Sequence, residues 1–150
     1  MPGGRTPRRI VAHVLALLDR GPLRLRAQSP IIETPPLGPS IRRFANAAAL
    51  IETHLDPPAL LDYLKGMERA ANRRRGQRWG NRTLDLDIIL WSGGPWDSAG
   101  LTIPHAAFRA RAFVLTPLAA IAADWRDPIS NLAVRHLAAR LHKRALSIPV

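Results

Sequence analysis

The sequence predicts a single α+β domain over residues 1–150, with helices covering one face of an antiparallel sheet. Two observations lead to this prediction. Segments with a helical period and segments in which apolar and polar residues alternate follow one another in the order α-β-β-α-β, before a tail of loop and helices. In addition, a length of 150 residues with a 47% apolar share suits one core of ordinary size, and no repeat or linker divides the chain.

The first half of the chain supplies a helix and two strands. Thr6 is a typical N-cap and Pro7 fits the first helical turn, while Gly21 and Pro22 end the helix. Residues 23–32 are predicted to be extended, because apolar and polar side chains alternate over residues 23–28. Residues 44–52 predict a strand antiparallel to it. The apolar face of the first helix is formed by Ile10, Val11, Val14, Leu15, Leu17 and Leu18.

A second helix and the central strand follow. Asp56, before two prolines, predicts a helix N-terminus. Glu68 lies near the end of this helix, and we expect it either to reach the arginine-rich loop that follows or to form a surface salt bridge. Residues 83–91 predict a strand that begins with strict alternation and ends in an apolar run. The core face of the helix is formed by Leu60, Leu61, Leu64 and Met67.

The last third of the chain predicts turns and two further helices. Residues 91–100 contain three glycines and predict a turn-rich excursion. A helix-like run extends from Arg109 to Ala122, and we expect Pro117 to limit it. Asn131 is predicted to cap a last helix over residues 132–141, whose basic outer side is most simply a solvated face.

The charge balance points to a polyanionic partner. Twenty-two Lys and Arg residues against eleven Asp and Glu residues leave a formal net charge of +11, which favours the binding of polyanions. Nucleic acid and a nucleotide with Mg²⁺ both stay open on this ground alone. The absence of cysteine excludes disulfides and thiol chemistry and permits a reducing cytosol.

No stretch of the sequence predicts a membrane span, because no apolar run approaches the ~20 residues that a spanning helix needs. Residues 1–18 mimic a signal peptide, but His13 interrupts their apolar run and no small-x-small cleavage site follows. We therefore expect a cytoplasmic protein that has no membrane partner.

A pair of carboxylates beside a basic loop is the strongest chemical signal. Asp85 and Asp87 are two residues apart, so in a strand they lie on the same face. Such a pair suits a polyphosphate substrate, because the acids hold Mg²⁺ while guanidinium groups hold phosphate oxygens. A solvated strand face or ordinary salt bridges are the alternative. The basic residues just upstream are Arg73, Arg74, Arg75, Arg78 and Arg82.

The motif Arg-Trp-Gly-Asn-Arg-Thr-Leu-Asp-Leu-Asp-Ile-Ile-Leu over residues 78–90 closely resembles the signature of the 6-hydroxymethyl-7,8-dihydropterin pyrophosphokinase family. Residues 34–39 (Thr-Pro-Pro-Leu-Gly-Pro) and the Thr-x-Pro-His…Arg-x-Phe spacing of residues 102–113 agree with it. The resemblance covers most of the chain, and it implies Mg²⁺-dependent transfer of pyrophosphate from ATP to a pterin alcohol in folate biosynthesis. AMP is then the leaving product.

The resemblance also implies residue roles. Asp85 and Asp87 are expected to bind two Mg²⁺ ions, and Arg78, Arg82, His105 and Arg111 to offset charge on the transferred group, so all six are candidate catalytic residues. Without the resemblance, Phe44 is interpreted as a core residue and His105 as a structural residue. The proline-rich loop of residues 33–39 is then a simple connector. The pterin is expected to contact Thr34, Pro35, Leu37, Phe44, Asn46, Trp79 and Phe113. ATP is expected to contact Arg73, Arg75, Ile88 and Thr102.

The chain departs from the family pattern at its beginning. Its element order resembles a ferredoxin-like βαββαβ fold without the first strand and the Gly-Ser-Asn turn, which precede the first helix in the family. We expect either a mis-assigned start or a shortened, non-catalytic relative, and a monomer if the N-terminus is complete. A basic ferredoxin-like nucleic-acid-binding module is the other alternative, although the sequence has no glycine-aromatic RNP pattern, so we expect no nucleic-acid partner.

Overall fold

A computed structural model describes residues 6–34, 44–74 and 84–146. The described residues form four α-helices, six short strands and one 3₁₀ turn, which confirms the α+β class. The strands associate as three separate antiparallel pairs, β1–β4, β2–β3 and β5–β6. The helices are α1 (Pro7–Leu17), α2 (Pro57–Arg74), α3 (Ala112–Ala122) and α4 (Val134–Leu146), the strands are β1 (Leu23–Gln28), β2 (Ile32–Thr34), β3 (Phe44–Asn46), β4 (Ala49–Thr53), β5 (Trp96–Ser98) and β6 (Leu101–Ile103), and the 3₁₀ turn is Phe108–Ala110.

Both predicted helix starts in the first half of the chain are confirmed. The Thr6 hydroxyl accepts a hydrogen bond from the Arg9 N–H at 3.2 Å. At α2, the Asp56 carboxylate accepts one from the Ala59 N–H at 2.9 Å. Each side chain thus satisfies one of the amides that a helix leaves without an intrahelical partner.

The predicted antiparallel pair of strands is present, but each strand is interrupted. β1 pairs with β4, with Leu23 opposite Thr53, and β2 pairs with β3 beyond the interruption. At the interruption the Ser29 N–H donates to the Ala48 carbonyl at 2.9 Å, and the Ser29 hydroxyl accepts from the Ala48 N–H at 2.8 Å. Buried Ser29 therefore satisfies the polar groups that the broken ladder leaves, next to Pro30, which has no N–H to donate.

The prediction of a strand over residues 83–91 is wrong for its described part, since residues 84–91 form no ladder within the structure's described ranges. The alternation is nevertheless real: Leu84 is buried, whereas Asp85 and Asp87 are exposed. Alternation specifies which side chains face the core, but a strand also needs a neighbouring backbone. Here side chains of α2 accept the N–H groups of Leu84 and Leu86 instead.

A hairpin that was not predicted begins in the turn-rich segment 91–100 and ends just after it, with Trp96 of β5 opposite Ile103 of β6. The predicted helical run is also divided, because α3 begins only after Arg111, which is extended. Pro117 lies inside α3, so the prediction that it limits the helix is wrong. Pro117 is buried, and it has no N–H to donate to the Phe113 carbonyl.

The predicted start of the last helix is wrong by about half a turn, because α4 begins at Val134 and Asn131 is not its cap. Asn131 has a φ of 62° and donates its N–H to the Asp127 carbonyl at 2.7 Å. Asparagine tolerates this left-handed conformation better than most residues. The turn therefore uses Asn131 for backbone geometry rather than for capping.

Three hydrophobic clusters form the core of the described chain, and residues 84–90 lie between them. Leu84 packs with α1, Leu86 and Ile88 pack between α1 and α2, and Ile89 and Leu90 pack against the α3–α4 cluster. This burial fixes the segment that carries the two aspartates. The buried members of the clusters are Phe108, Leu115, Leu118, Ala122, Val134 and Leu137; Leu15, Leu18, Leu23, Leu60 and Leu64; and Ile10, Val14 and Leu84.

None of the helices within the described ranges is long and apolar enough to cross a membrane.

Candidate active site

The aspartate segment meets the segment that carries His105. The His105 N–H donates to the Ile89 carbonyl at 3.1 Å, which ties the two backbones together. The His105 Nε2 atom then lies 3.9 Å from an Asp87 carboxylate oxygen, and both side chains are partly open to solvent. Residues separated by eighteen positions in sequence thus share one surface, as the family resemblance implies for two members of an active site.

Glu68 of α2 holds the aspartate segment from the core side. Its side chain is buried, with the whole residue only 8% exposed. One carboxylate oxygen accepts the Leu86 N–H at 2.6 Å, and Asn72, one turn further along α2, accepts the Leu84 N–H at 3.4 Å. These two hydrogen bonds hold the segment against α2, while Leu84 and Leu86 pack into the core and Asp85 and Asp87 are exposed.

Of the two expectations for Glu68, a surface salt bridge or contact with the arginine-rich loop, the described residues allow the first to be checked. The other carboxylate oxygen lies 3.4 Å from the Lys65 Nζ, so a salt bridge is present. It is not a surface bridge, because the Glu68 side chain is buried while that of Lys65 is half exposed. The arginine-rich loop itself falls outside the described residues, so contact with it stays a prediction.

Replacing Glu68 with alanine is expected to destabilise the protein by about 1–3 kcal/mol, because the Leu86 N–H loses its acceptor. The matched control is Lys65→Met, which removes only the more exposed partner and should cost less than about 1 kcal/mol. Urea unfolding of both variants measures the difference. Equal losses for the two variants would contradict the proposed role of the Glu68–Leu86 bond.

The orientation of the His105 ring is set by its own turn. The Ala107 N–H donates to His105 Nδ1 at 3.2 Å, so the neutral ring carries its proton on Nε2, the nitrogen that faces Asp87. At 3.9 Å the Nε2 atom is too far from the Asp87 oxygen for a direct hydrogen bond. The Nε2–H is therefore available to an oxygen of a bound ligand.

Arg111 and two exposed aromatic rings lie on the outer surface near α3. The Arg111 guanidinium carbon is 5.6 Å from the centre of the Phe113 ring, within cation–π range. Phe113 is 41% exposed and Phe44 is 51% exposed. The simpler interpretation of Phe44 as a core residue is therefore wrong, because about half of the residue is exposed.

The strands that carry the predicted pterin contacts lie next to α3. Thr34 of β2 is opposite Phe44 of β3, and Asn46 of β3 is opposite Ile32. Both strands and β4 contact α3, the helix that begins next to Arg111. Phe44, Asn46 and Phe113 are thus carried by neighbouring elements, whereas Pro35, Leu37 and Trp79 fall outside the described residues.

The predicted nucleotide contacts are spread over three elements. Arg73 is exposed near the end of α2, and Ile88 is half-buried against the α1–α2 core. Thr102 is exposed on β6, and its hydroxyl donates to the Asp97 carboxylate at 3.4 Å. Thr102 also lines an open cavity of about 440 Å³ beside the β5–β6 hairpin. Arg75, Arg78 and Arg82 fall outside the described residues.

The donor set at the aspartate pair fits Mg²⁺ held jointly with a phosphate ligand. Within the described ranges, no three side chains of His, Asp or Glu converge as a metal site. Mg²⁺ rarely needs such a group, because it is usually bound through one or two carboxylates together with waters and substrate phosphates. Two exposed carboxylates, Asp85 and Asp87, supply that kind of incomplete oxygen set.

An ion pair next to this site, with a buried carboxylate, was not predicted from the sequence. Asp127 is fully buried, and it accepts hydrogen bonds from Arg109 Nε at 2.5 Å and Arg109 Nη2 at 2.7 Å. The Arg109 hydrogen bonds hold the pKa of Asp127 well below its usual range, aided by Ser130 and Ile129 and opposed by burial. The same hydrogen bonds raise the pKa of Arg109. The only local signal was Asp127-Pro128, which favours a turn.

Comparison with known proteins agrees with the motif at residues 78–90. The family model described as 7,8-dihydro-6-hydroxymethylpterin-pyrophosphokinase (HPPK) matches residues 4–123. A Pseudomonas aeruginosa protein named 2-amino-4-hydroxy-6-hydroxymethyldihydropteridine pyrophosphokinase is 45% identical over 124 residues, which are 81% of this chain and 76% of that protein.

Two further relatives carry the same name. The Haemophilus influenzae protein is 44% identical over 122 residues, covering 81% of this chain and 76% of the relative. The Synechocystis protein is 42% identical over 100 residues, which are 67% of this chain but only 51% of that protein. The matched part of the chain thus spans about three quarters of the first two relatives and about half of the third.

Proposed function

The chain belongs to the 7,8-dihydro-6-hydroxymethylpterin-pyrophosphokinase family, and from that premise we propose that it transfers pyrophosphate from ATP to the hydroxymethyl oxygen of 6-hydroxymethyl-7,8-dihydropterin and releases AMP. It is a pyrophosphokinase, an ATP-dependent transferase of folate biosynthesis. The observation that carries the proposal is the family match over residues 4–123. The meeting of Asp87 with His105 at the surface supports it.

We propose that Asp85 and Asp87 hold Mg²⁺, with two ions expected. When bound there, the metal neutralises phosphate charge and polarises the attacking and leaving oxygens. The protein's own part is to hold the two carboxylates outward on a segment fixed by Glu68 and by core packing. Fixed carboxylates need no rearrangement when the substrate arrives, which favours the transition state.

His105 and Arg111 are the proposed contacts to the transferred group among the described residues. The His105 Nε2–H faces Asp87 and can donate to a phosphoryl oxygen, while Arg111 is exposed and always charged. Charge that develops on the transferred group is then offset by fixed donors. Arg78 and Arg82 are proposed to add two further guanidinium groups.

The pterin is proposed to lie between the rings of Phe44 and Phe113. Both rings are substantially exposed, as expected of rings that stack on a ligand rather than on the core. The Asn46 amide can both donate to and accept from a heterocycle. The remaining proposed pterin contacts are Thr34, Pro35, Leu37 and Trp79, and the proposed ATP contacts are Arg73, Arg75, Ile88 and Thr102.

The proposal includes a single-domain, ferredoxin-like architecture. Its support is the pairing of β1 with β4 and the helices α1 and α2, which follow the expected element order. The described strands form three separate pairs, so the continuous sheet of such a fold stays a prediction.

The direct test incubates the purified protein with ATP, Mg²⁺ and 6-hydroxymethyl-7,8-dihydropterin and measures AMP by chromatography. AMP is expected only when the pterin is present. Omitting the pterin controls for simple ATP hydrolysis. A folded protein that forms no AMP under these conditions would favour the non-catalytic alternative.

A binding measurement separates this function from nucleic-acid binding, which the net charge of +11 alone permits. A nonhydrolysable ATP analogue with Mg²⁺ is expected to raise the melting temperature, because it binds the folded state. RNA should bind weakly, with a steep salt dependence. Tight RNA binding at physiological salt that survives Asp85→Ala would count against the proposal.

A further inference from the structure

We propose that the buried Arg109–Asp127 pair is a positioning device that holds His105 and Arg111 in place for phosphate contact, an inference that rests on the function proposed above. Neither residue of the pair is assigned a role by the signature motif. The pair joins the segment between His105 and Arg111 to the turn that precedes α4.

The pair is built as a rigid anchor. Both Asp127 oxygens accept from the Arg109 guanidinium, at 2.5 and 2.7 Å, in the bidentate geometry that fixes both groups. The same carboxylate accepts from the Ser130 hydroxyl at 2.7 Å and from the Ile129 N–H at 3.0 Å. Four donors therefore hold a side chain that has no solvent exposure.

The anchored residue lies at the centre of the 3₁₀ turn Phe108–Ala110. Phe108 is fully buried in the α3–α4 cluster, and the Arg109 guanidinium carbon lies 4.8 Å from the centre of its ring. The Phe108 N–H donates to the His105 carbonyl at 3.3 Å, and the Arg111 N–H donates to the Phe108 carbonyl at 3.5 Å. Phe108, which directly precedes the anchored Arg109, is thus hydrogen-bonded to both proposed phosphate contacts.

The turn also sets the His105 ring. The Ala107 N–H that donates to His105 Nδ1 belongs to the residue just before the turn, and the Ala110 N–H donates back to the Ala107 carbonyl at 3.2 Å. A shift of the turn would therefore move the donor that orients the ring. Displacements of about 1 Å can cost about a hundredfold in rate when they misplace a reacting group.

A second Arg–Asp pair nearby provides a matched comparison. Arg135 of α4 pairs with Asp124 just after α3, but the Asp124 side chain is 88% exposed. This pair connects α4 to the end of α3, and among the hydrogen bonds of the described residues it has none to the 105–111 segment. Both pairs can contribute to the stability of the fold. Only the Arg109–Asp127 pair is expected to hold His105 and Arg111 in position as well.

The experiment compares Arg109→Lys and Asp127→Asn with Arg135→Lys, at a temperature where circular dichroism shows all variants folded. Lysine keeps the charge but cannot form the bidentate fork. We expect kcat to fall between about tenfold and a hundredfold for the two Arg109–Asp127 variants, with the KM for the pterin unchanged within about twofold. Arg135→Lys should behave as the wild type.

A second readout does not depend on activity. In ¹H–¹⁵N spectra, the Ala107 amide and the His105 ring nitrogens should shift in Arg109→Lys and stay in place in Arg135→Lys. Unchanged resonances together with unchanged kcat, or a lowered melting temperature as the sole effect, would overturn the positioning role. If the wild-type protein forms no AMP, the proposed function fails, and the resonance comparison still decides whether the pair holds the segment.

Discussion

Replacing Asp85 or Asp87 with alanine is expected to lower the rate of AMP formation by several orders of magnitude while the protein stays folded. Both side chains are exposed, so their removal leaves the core packing of Leu84 and Leu86 intact. Loss of a metal clamp should remove several kcal/mol of transition-state stabilisation, and each 1.4 kcal/mol is about tenfold in rate.

The matched control for this experiment is Asp62→Ala, which removes an exposed carboxylate from α2. Single-turnover measurement of AMP and a thermal melt are made on all three variants. The control should keep both its rate and its melting temperature. Near-normal AMP formation by folded Asp85→Ala or Asp87→Ala would end the proposal that this pair holds the metal.

Replacing Asp127 with alanine is expected to give the largest loss of stability, about 3 kcal/mol at pH 7. Breaking a buried ion pair typically costs about 3–5 kcal/mol because the remaining charge loses its partner. The lower end applies here, since the Arg109 side chain is 32% exposed and can recover some hydration. Asp124→Ala, at the exposed pair, should cost less than about 1 kcal/mol.

The same pair predicts how stability depends on pH. The pKa of Asp127 is lowered in the folded protein, chiefly by the Arg109 hydrogen bonds, so the folded state holds this proton less tightly than the unfolded state does. The stabilisation is therefore complete above the ordinary aspartate pKa of about 3.9 and is lost as the pH falls toward the lowered value. Between pH 4 and pH 3 the loss should be about 1 kcal/mol.

Urea unfolding at pH 7 and pH 3 tests both statements. The difference in the free energy of unfolding between the wild type and Asp127→Asn should shrink by about 1 kcal/mol at pH 3, because asparagine does not titrate. A constant difference across this range would show that Asp127 does not carry the pH dependence.

Features set by neighbours in sequence were predictable. The caps at Thr6 and Asp56 depend on a side chain and an amide three residues later, and both are confirmed. The placement of Asp85 and Asp87 on one face, which the structure shows to be exposed, followed from a period of two. The enzyme class came from the motif over residues 78–90, and the family match confirms it.

Features that depend on distant partners were not predictable. Whether residues 84–91 form a strand depends on which groups accept their N–H atoms, and Glu68 and Asn72 lie in another element. The Arg109–Asp127 pair joins residues eighteen positions apart, and nothing local marks Arg109 as a partner. The tolerance of Pro117 inside α3 likewise follows from burial of its ring, which local helix propensity does not include.

Because Glu68 accepts from Leu86 and Asn72 accepts from Leu84, the aspartate segment runs antiparallel to α2. Four residues of helix rise about 6 Å, and two residues of extended chain span about 6.6 Å, so acceptors at 68 and 72 match donors at 86 and 84. The positions of Asp85 and Asp87 are thus set by the hydrogen bonds of Leu84 and Leu86 to α2, and not by the length of the sequence between Arg74 and Leu84. A change of length in that intervening sequence would therefore leave Asp85 and Asp87 facing outward, but it would alter the spacing between the aspartates and the proposed phosphate contacts Arg78 and Arg82.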